Sequence, residues 1–186
     1  MSVAFAPTIV SHQPIDATTF RKAMRHLVGA VSIVTAGRPG DRTGMTATSV
    51  SSLSADSSTL IVCVNLSSST WPILRRERCF GVNVLASEHE PVADRFTGRN
   101  GERGEARFVD ARWLTLATGA PLLADALVSL DCLVEEVIER HSHAIVVGCV
   151  RAFRASEAGG ALVYWRGAYE ALGWTEAQAR SAIGFG

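Results

Sequence analysis

Several features that often reveal the class of a protein are missing from this sequence of 186 residues. The 18 basic and 18 acidic side chains balance, and no stretch carries sustained basic charge, so no nucleic-acid partner is expected. There is no run of about 18 apolar residues that could span a membrane. The first residues also lack the basic and apolar segments of a secretory signal. We therefore expect a cytoplasmic protein, and its length fits one domain.

Motifs for common kinds of chemistry are also absent. The four cysteines form no CxxC pair, so we expect them to be small buried side chains in a reducing compartment. Gly98, Gly101 and Gly104 do not make a GxGxxG fingerprint, and there is no Walker A or GxSxG sequence. These absences argue against a Rossmann dehydrogenase and a serine hydrolase.

The most distinctive stretch runs from Thr43 to Thr70 and is rich in small hydroxyl side chains. Its apolar positions up to Leu53 predict a half-buried strand, and Leu60 to Val64 predict a second strand after a turn. Such a surface is flat, neutral and rich in hydrogen-bonding groups. It would suit a planar heterocycle with a polyol arm, although a solvated edge strand would have the same composition.

A run of neutral donors follows the second strand, from Asn65 to Thr70. A helix is predicted to begin near Trp71, with Thr70 as its N-cap. Backbone N–H groups at a helix start can hold a phosphate without a Lys or Arg, so this run is a candidate phosphate site.

The rest of the chain predicts mostly strands. After a loose arm up to Ile15, Asp16 should cap an amphipathic helix that lies on the sheet and stops at Gly29. A shorter helix is predicted from His89 to Phe96, and a mobile loop from Thr97 to Arg107. Few helices and short connections favour an antiparallel barrel. The further predicted strands are Val31–Val34, Phe80–Leu85, Leu127–Ile138, Ala144–Phe153 and Leu162–Trp165.

Several motifs in a fixed order resemble one known family. They read FRKAMRHLVGAVSIVTA, TGMTATSVSSLSAD, LIVCVN, SSSTWPIL and FGVNVLA. Together they resemble the short flavin reductases, the NAD(P)H-dependent components of two-component flavin monooxygenases, from about Phe20 to Tyr169. The resemblance implies a mainly β fold with flanking helices, an antiparallel split β-barrel that binds FMN or FAD as a homodimer. We expect this domain to span residues 16–172, between an arm of residues 1–15 and a tail of residues 173–186.

The function implied by the resemblance is reduction of FMN or FAD by NADH or NADPH, with reduced flavin passing to a partner monooxygenase. Hydride transfer between two bound rings needs no protein nucleophile, which agrees with a site of neutral side chains. Two alternatives remain open. One is an enzyme whose flavin reduces another bound acceptor, such as a corrinoid, and the other is a flavin- or haem-binding module without turnover.

The resemblance also implies roles for particular residues. The first strand would border the isoalloxazine ring, the second would follow the ring and ribityl arm, and the donor run would approach the phosphate. In that order these residues are Thr46, Ala47, Thr48 and Ser49, with Ser51 and Ser52 nearby; Cys63, Val64 and Asn65; and Ser67, Ser69 and Thr70.

Four further candidates come from later motifs. Tyr169 lies in the segment YWRGAY, which matches the family, and would close the pocket or pack at the barrel end. Phe96 is either near the flavin or a core aromatic, and Asn83 either contacts the cofactor or caps backbone. His143 matches the histidine of a Gly-Asp-His turn that lies by the nicotinamide, although His141 and Ser142 stand where the family has Gly-Asp. No metal is expected at this turn, because no further ligands are nearby in sequence.

Overall fold

The computed structural model describes residues 14–156 and 159–173. In these ranges the helices are α1 (Ala17–Met24), α2 (Thr70–Glu77) and α3 (Glu90–Thr97), and 3-10 turns span Ser87–His89 and Gly104–Phe108. The strands are β1 (Gly29–Ala30), β2 (Ser32–Ala36), β3 (Thr43–Ala47), β4 (Val50–Ser54), β5 (Thr59–Asn65), β6 (Cys79–Val84), β7 (Trp113–Leu114), β8 (Leu122–Leu123), β9 (Val128–Arg140), β10 (His143–Ala155), β11 (Ala161–Trp165) and β12 (Ala168–Leu172).

Seven strands form one sheet in the order β3-β2-β6-β9-β10-β5-β4, and every pair is antiparallel. The two strands at its ends, β3 and β4, are joined by only Thr48 and Ser49. Since two residues span at most about 11 Å, the sheet must curl until its two ends nearly meet. This closure confirms the predicted antiparallel barrel and brings the two ends of the sheet together at residues 48 and 49.

The barrel interior is filled by alternate side chains of the long strands. On β5, Val62 and Val64 are fully buried, whereas Cys63 and Asn65 between them are half-buried. This period of two places one set of β5 side chains in the core and the other set on the opposite face. The core also contains Phe80 and Leu74, the latter from α2.

A second, smaller sheet has the order β1-β11-β12 and lies against the barrel. Its hairpin turns at Arg166 and Gly167, both of which have positive φ, as a two-residue type I′ turn requires. The turn sets Tyr164 opposite Tyr169. A separate apolar cluster joins this sheet to α3 and contains the aromatic residues Phe96 and Phe108.

Some sequence predictions differ from the structure. The Thr43 segment forms two strands, because it leaves one end of the sheet and enters the other. The predicted N-cap of α2 was wrong by one residue, since Ser69 is the cap and Thr70 lies inside the helix. Asp16 does cap α1, but no residue of that helix is buried, so the prediction that it lies on the sheet was wrong within the described chain.

The glycine-rich segment predicted to be a mobile loop is anchored in its second half. The Arg107 guanidinium is buried and donates to the carbonyl oxygens of Glu102 (3.0 Å) and Gly44 (2.5 Å). The predicted arm lies outside the described residues up to position 13, and the predicted tail lies outside them from position 174. The division into arm, domain and tail therefore stays a prediction.

Candidate functional site

A cavity of about 300 Å³ opens where β3 ends, and we call it the site cavity. Ala47 and the neutral hydroxyls of Thr46 and Thr48 form one wall, and Tyr164 and Tyr169 form another. Val31, Thr97 and Arg99 complete the lining. A volume of this size lies at the lower end of the range for small-molecule sites.

The wall contributed by β3 is fixed by the neighbouring helix. The Thr46 hydroxyl donates to the carbonyl oxygen of Ala93 in α3 at 2.5 Å. Gly44 allows close packing two residues earlier, because a Cβ atom there would lie 2.7 Å from the Phe96 ring. Thr48 is exposed, so its side chain is accessible to a ligand.

The two tyrosines form a pair held by the β11–β12 hairpin. Their ring centroids are 5.4 Å apart and the rings meet edge to face. Burial raises the pKa of Tyr169 above its usual value, with the negative charge of Asp94 adding to the shift and Arg99 opposing it. Tyr169 is therefore a neutral hydrogen-bonding group at physiological pH.

A second group of predicted residues begins at Ser49, directly after Thr48. The Ser49 hydroxyl donates to the Cys63 carbonyl oxygen at 3.1 Å, which ties the start of β4 to β5. Asn65 at the end of β5 is opposite His143 at the start of β10. Thr48 and Ser49 thus connect the site cavity to the strand ends that carry Asn65 and His143.

Local hydrogen bonds shape this second group. The Asn65 carboxamide oxygen accepts from the backbone N–H and hydroxyl of Ser67, at 2.9 and 2.8 Å. The Ser142 hydroxyl lies 2.9 Å from His143 Nδ1, and the Ser142 carbonyl oxygen accepts from Leu66 N–H at 3.0 Å. These contacts hold the exposed His143 ring by the donor run.

His141 occupies the first position of the tight turn between β9 and β10 and has φ of +52°. This left-handed conformation favours glycine. The substitution of His for the family's glycine therefore keeps the turn and adds backbone strain to it.

Other predicted residues are placed away from these two groups. Val64 and Thr70 are fully buried, and the Thr70 hydroxyl lies 3.5 Å from that of Thr43. Phe96 packs against Phe108 and Trp113, with ring centroids 5.1 and 5.5 Å away. These residues have structural contacts, as the core alternative for Phe96 anticipated.

Asn83 is also fully buried. Its amide nitrogen donates to the Ile33 carbonyl oxygen, and its amide oxygen accepts from Leu123 N–H and the Ser129 hydroxyl. All these partners are internal, so Asn83 has the backbone-capping role that was its alternative in the sequence.

The remaining predicted residues are exposed or lie elsewhere. Ser52 lines a separate cavity of about 230 Å³ with Val50 and Val150. Ser51, its neighbour on β4, points to the opposite face of the strand. Ser69 is exposed at the start of α2, where its side chain makes no capping hydrogen bond.

Sequence reasoning missed four residues that line the site cavity: Val31, Thr97, Arg99 and Tyr164. A signal for Tyr164 existed, because the Arg-Gly turn of YWRGAY pairs it with Tyr169. Arg99 had no such signal: it lies in a charged, glycine-rich segment whose course depends on the buried Arg107.

The site supplies neutral hydrogen bonds and aromatic faces. In the described part of the chain, no cluster of three or more His, Cys, Asp or Glu side chains could hold a metal ion. The cysteines are free there, and burial raises the pKa of the Cys132 thiol to about 12. Cys63, the cysteine on the site strand, is half-buried. Neutral donors, two tyrosines and an open volume fit a planar heterocyclic cofactor.

Comparison with known proteins agrees with this geometry. Residues 24–173 match the family described as flavin reductase like domain. The FMN reductase (NADH) RutF 1 of Methylorubrum extorquens is 41% identical over 162 residues, covering 86% of this chain and 78% of that protein.

No helix within the described residues is long and apolar enough to cross a membrane.

Two solved structures are similar throughout. BorF, the flavin reductase component of a bacterial two-component tryptophan halogenase, has a TM-score of 0.78 at 30% identity, covering 84% of this chain and 98% of its own. The NADH:FAD oxidoreductase SgcE6 of Streptomyces globisporus C-1027 has a TM-score of 0.80 at 25% identity, covering 90% and 100%.

Proposed function

Because the chain belongs to the family described as flavin reductase like domain, we propose that it is an NADH-dependent flavin reductase. FMN is the flavin named for its relative from Methylorubrum extorquens, and we propose FMN as the preferred flavin here. The reduced flavin passes to a separate oxygenase or halogenase, as the two-component assignment of BorF suggests.

The observation that carries this proposal is the composition of the site cavity. It offers the hydroxyls of Thr46 and Thr48 and the Tyr164–Tyr169 pair around an open volume. A hydrolase needs an activated nucleophile, whereas hydride transfer from nicotinamide to flavin is chemistry that the two bound rings supply themselves. What the protein must supply is position and a pocket that excludes water.

We propose the following roles for the residues at the site. Thr46, Ala47 and Thr48 border the flavin ring with their backbone and hydroxyl groups, and Ser49 continues this edge towards Cys63 and Asn65. Tyr169 covers the cavity as a neutral group. The exposed donors Ser67 and Ser69 approach the phosphate.

His143 is proposed to position the nicotinamide. Its Nδ1 atom lies 2.9 Å from the Ser142 hydroxyl, so Nε2 is the ring atom left to contact a substrate. The support for this role is its place opposite Asn65 and its match to the family's histidine.

The assembly and location remain proposals as well. We propose a cytoplasmic homodimer, supported by the family resemblance and by large apolar side chains that are exposed in one protomer, among them Leu53 and Phe153.

The experiment is to follow oxidation of NADH and NADPH at 340 nm with FMN, FAD or no added flavin. Rapid oxidation of NADH that requires added FMN is the expected result. Flavin that stays bound without turnover would contradict the proposal and favour a binding module. Turnover that needs a corrinoid acceptor would assign a different reaction.

The variant His143→Ala tests the nicotinamide role. We expect its KM for NADH to rise about tenfold while its KM for FMN stays unchanged, because a lost positioning contact of about 1.4 kcal/mol is a tenfold change. Arg75→Ala, at an exposed residue of α2 that lines neither opening, is the control and should leave the KM for NADH unchanged. An unchanged KM for NADH in His143→Ala would refute this role.

A further inference from the structure

A second opening lies between α1 and the β11–β12 hairpin, and we call it the α1 cleft. One part, of about 610 Å³, has an apolar wall that includes Phe20 and Leu27. The other, of about 520 Å³, is lined by Lys22, Arg25, His26 and Arg166. Thr48 and Tyr164 line both the α1 cleft and the site cavity, so the two openings are adjacent.

The positive charge of this cleft is not balanced locally. Among the described residues, no Asp or Glu lines either part. None of Lys22, Arg25 and Arg166 has a carboxylate partner there, whereas Arg38, Arg42, Arg76 and Arg95 do. Lys22 is also the only lysine in a sequence whose formal net charge is zero. This concentration of cations fits a polyanionic ligand.

Two of the cations are held in place by neighbouring backbone or aromatic groups. Arg166 N–H donates to the Arg25 carbonyl oxygen at 3.0 Å, and the Arg25 guanidinium donates to the Arg166 carbonyl oxygen. The Arg166 guanidinium lies 4.5 Å from the centroid of the Trp165 ring. Guanidinium groups held in this way are suited to phosphate oxygens.

We propose that the α1 cleft binds the adenosine diphosphate group of a dinucleotide whose reactive ring occupies the site cavity. The cations receive the two phosphates, and the wall of Phe20 and Leu27 packs against the adenine. This inference rests on the proposed function, because it requires a dinucleotide substrate. NADH, NADPH and FAD all carry this group, whereas FMN lacks it.

The first test needs no catalytic activity. Lys22 is the only lysine, so an amine-acetylating reagent followed by mass spectrometry reports its accessibility directly. We expect ADP to slow acetylation of Lys22 several-fold and adenosine, which lacks phosphates, to have no effect. Equal rates of Lys22 acetylation with and without ADP would overturn the proposal. Protection of Lys22 that depends only on protein concentration would also overturn it, because it would indicate that a second copy of the chain covers the cleft.

The second test is kinetic and uses Lys22→Ala and Lys22→Glu, since Lys22 has no hydrogen bond or ion pair among the described residues. We expect the KM for NADH or FAD to rise about threefold in Lys22→Ala, which loses one exposed charge contact. In Lys22→Glu, where the charge is reversed, we expect a rise of about tenfold. kcat and the KM for FMN should not change. A higher KM for NADH assigns the cleft to the nicotinamide dinucleotide. A higher KM for FAD alone assigns it to the flavin dinucleotide. Unchanged KM values for both substrates refute the proposal.

Arg75→Ala is the matched control. Arg75 is an exposed cation on α2, next to Arg76, which pairs with Asp41 in the turn beyond the far end of β2. Its removal should leave all these KM values unchanged. A chain without reductase activity in which ADP still protects Lys22 would refute the proposed function while supporting the cleft.

Discussion

Asn83 connects three parts of the chain through one buried side chain. Its amide joins the Ile33 carbonyl oxygen at 3.0 Å, Leu123 N–H at 2.7 Å and the Ser129 hydroxyl at 3.0 Å. The side chain is fully buried, so bulk water does not reach these hydrogen bonds in the folded protein. Removing the Asn83 amide would leave its partners buried without hydrogen bonds, and this lowers the free energy of unfolding.

We expect Asn83→Ala to lower the free energy of unfolding by about 2–4 kcal/mol, because several buried groups lose their partner. Urea unfolding followed by circular dichroism measures this change. Ser129→Ala is the control and should cost less, since it removes one member of the network. The dissociation constant of FMN for folded Asn83→Ala should equal that of the wild type; a large increase would restore Asn83 as a cofactor residue.

The Glu105 carboxylate fastens the 3-10 turn to the β2–β3 connection. It accepts hydrogen bonds from the Arg42 guanidinium and from the backbone N–H groups of Gly40 and Arg42. The hydrogen bond from the Arg42 side chain is the largest cause that lowers the pKa of Glu105 from 4.5 to about 2. The carboxylate form is thus favoured in the folded protein.

This pKa predicts a loss of stability in acid. Because the folded pKa is depressed, the stabilisation is fully present above pH 4.5 and is lost as the pH falls from 4.5 towards 2. The side chain is 40% exposed, so screening keeps the contribution below about 1 kcal/mol. Urea unfolding at pH 3 and pH 6 measures how much the free energy of unfolding changes between these two pH values. This change should be smaller for Glu105→Gln than for the wild type, and an equal change in both proteins would contradict this assignment.

At the scale of elements, two hairpins carry the candidate site. The turn at His141 and Ser142 presents His143, and the turn at Arg166 and Gly167 pairs the two tyrosines. Each turn has two residues, which fixes the register of its strands. A change of turn length would therefore move a site residue to the other face.

The strain at His141 predicts a stabilising substitution. His141→Gly should raise the free energy of unfolding by about 0.5–1 kcal/mol, because glycine adopts positive φ without a steric penalty. Ser58→Gly is a matched comparison, since Ser58 has the same φ of +52° in the β4–β5 turn. Thermal unfolding measures both variants. A destabilised His141→Gly would mean that the imidazole makes stabilising contacts.

At the scale of the whole molecule, the strand at the end of the sheet indicates where a second protomer would pack. Among the described residues, β4 at one end of the sheet pairs only with β5, and it carries Leu53, which is 55% exposed. An exposed apolar edge strand readily pairs with another chain. This edge is the surface we expect the second protomer to cover.

Sedimentation equilibrium should therefore give about twice the protomer mass of 19.8 kDa. We expect Leu53→Asp to weaken the dimer at least tenfold, because burying a new carboxylate costs well over the 1.4 kcal/mol that a tenfold change requires. Val109→Asp, at a loop residue that is 51% exposed, is the control. A wild-type mass of 19.8 kDa at micromolar concentration would refute the homodimer.

The sequence by itself determined the fold class and much of the chemistry. Strand periodicity and turn residues are local properties, so the antiparallel strands, the Asp16 cap and the neutral segment around Thr46 could be predicted. The ordered motifs added the family and its flavin chemistry.

Only the tertiary structure decided which predicted side chains face an opening. Val64 and Cys63 are neighbours on one strand, yet they lie on opposite faces because side chains alternate. Arg99 and the α1 cleft depend on segments far apart in sequence, which are brought together when the barrel closes and when Arg166 of the β11–β12 turn bonds to Arg25 at the end of α1. Such placement follows from long-range packing, and local sequence patterns do not contain it.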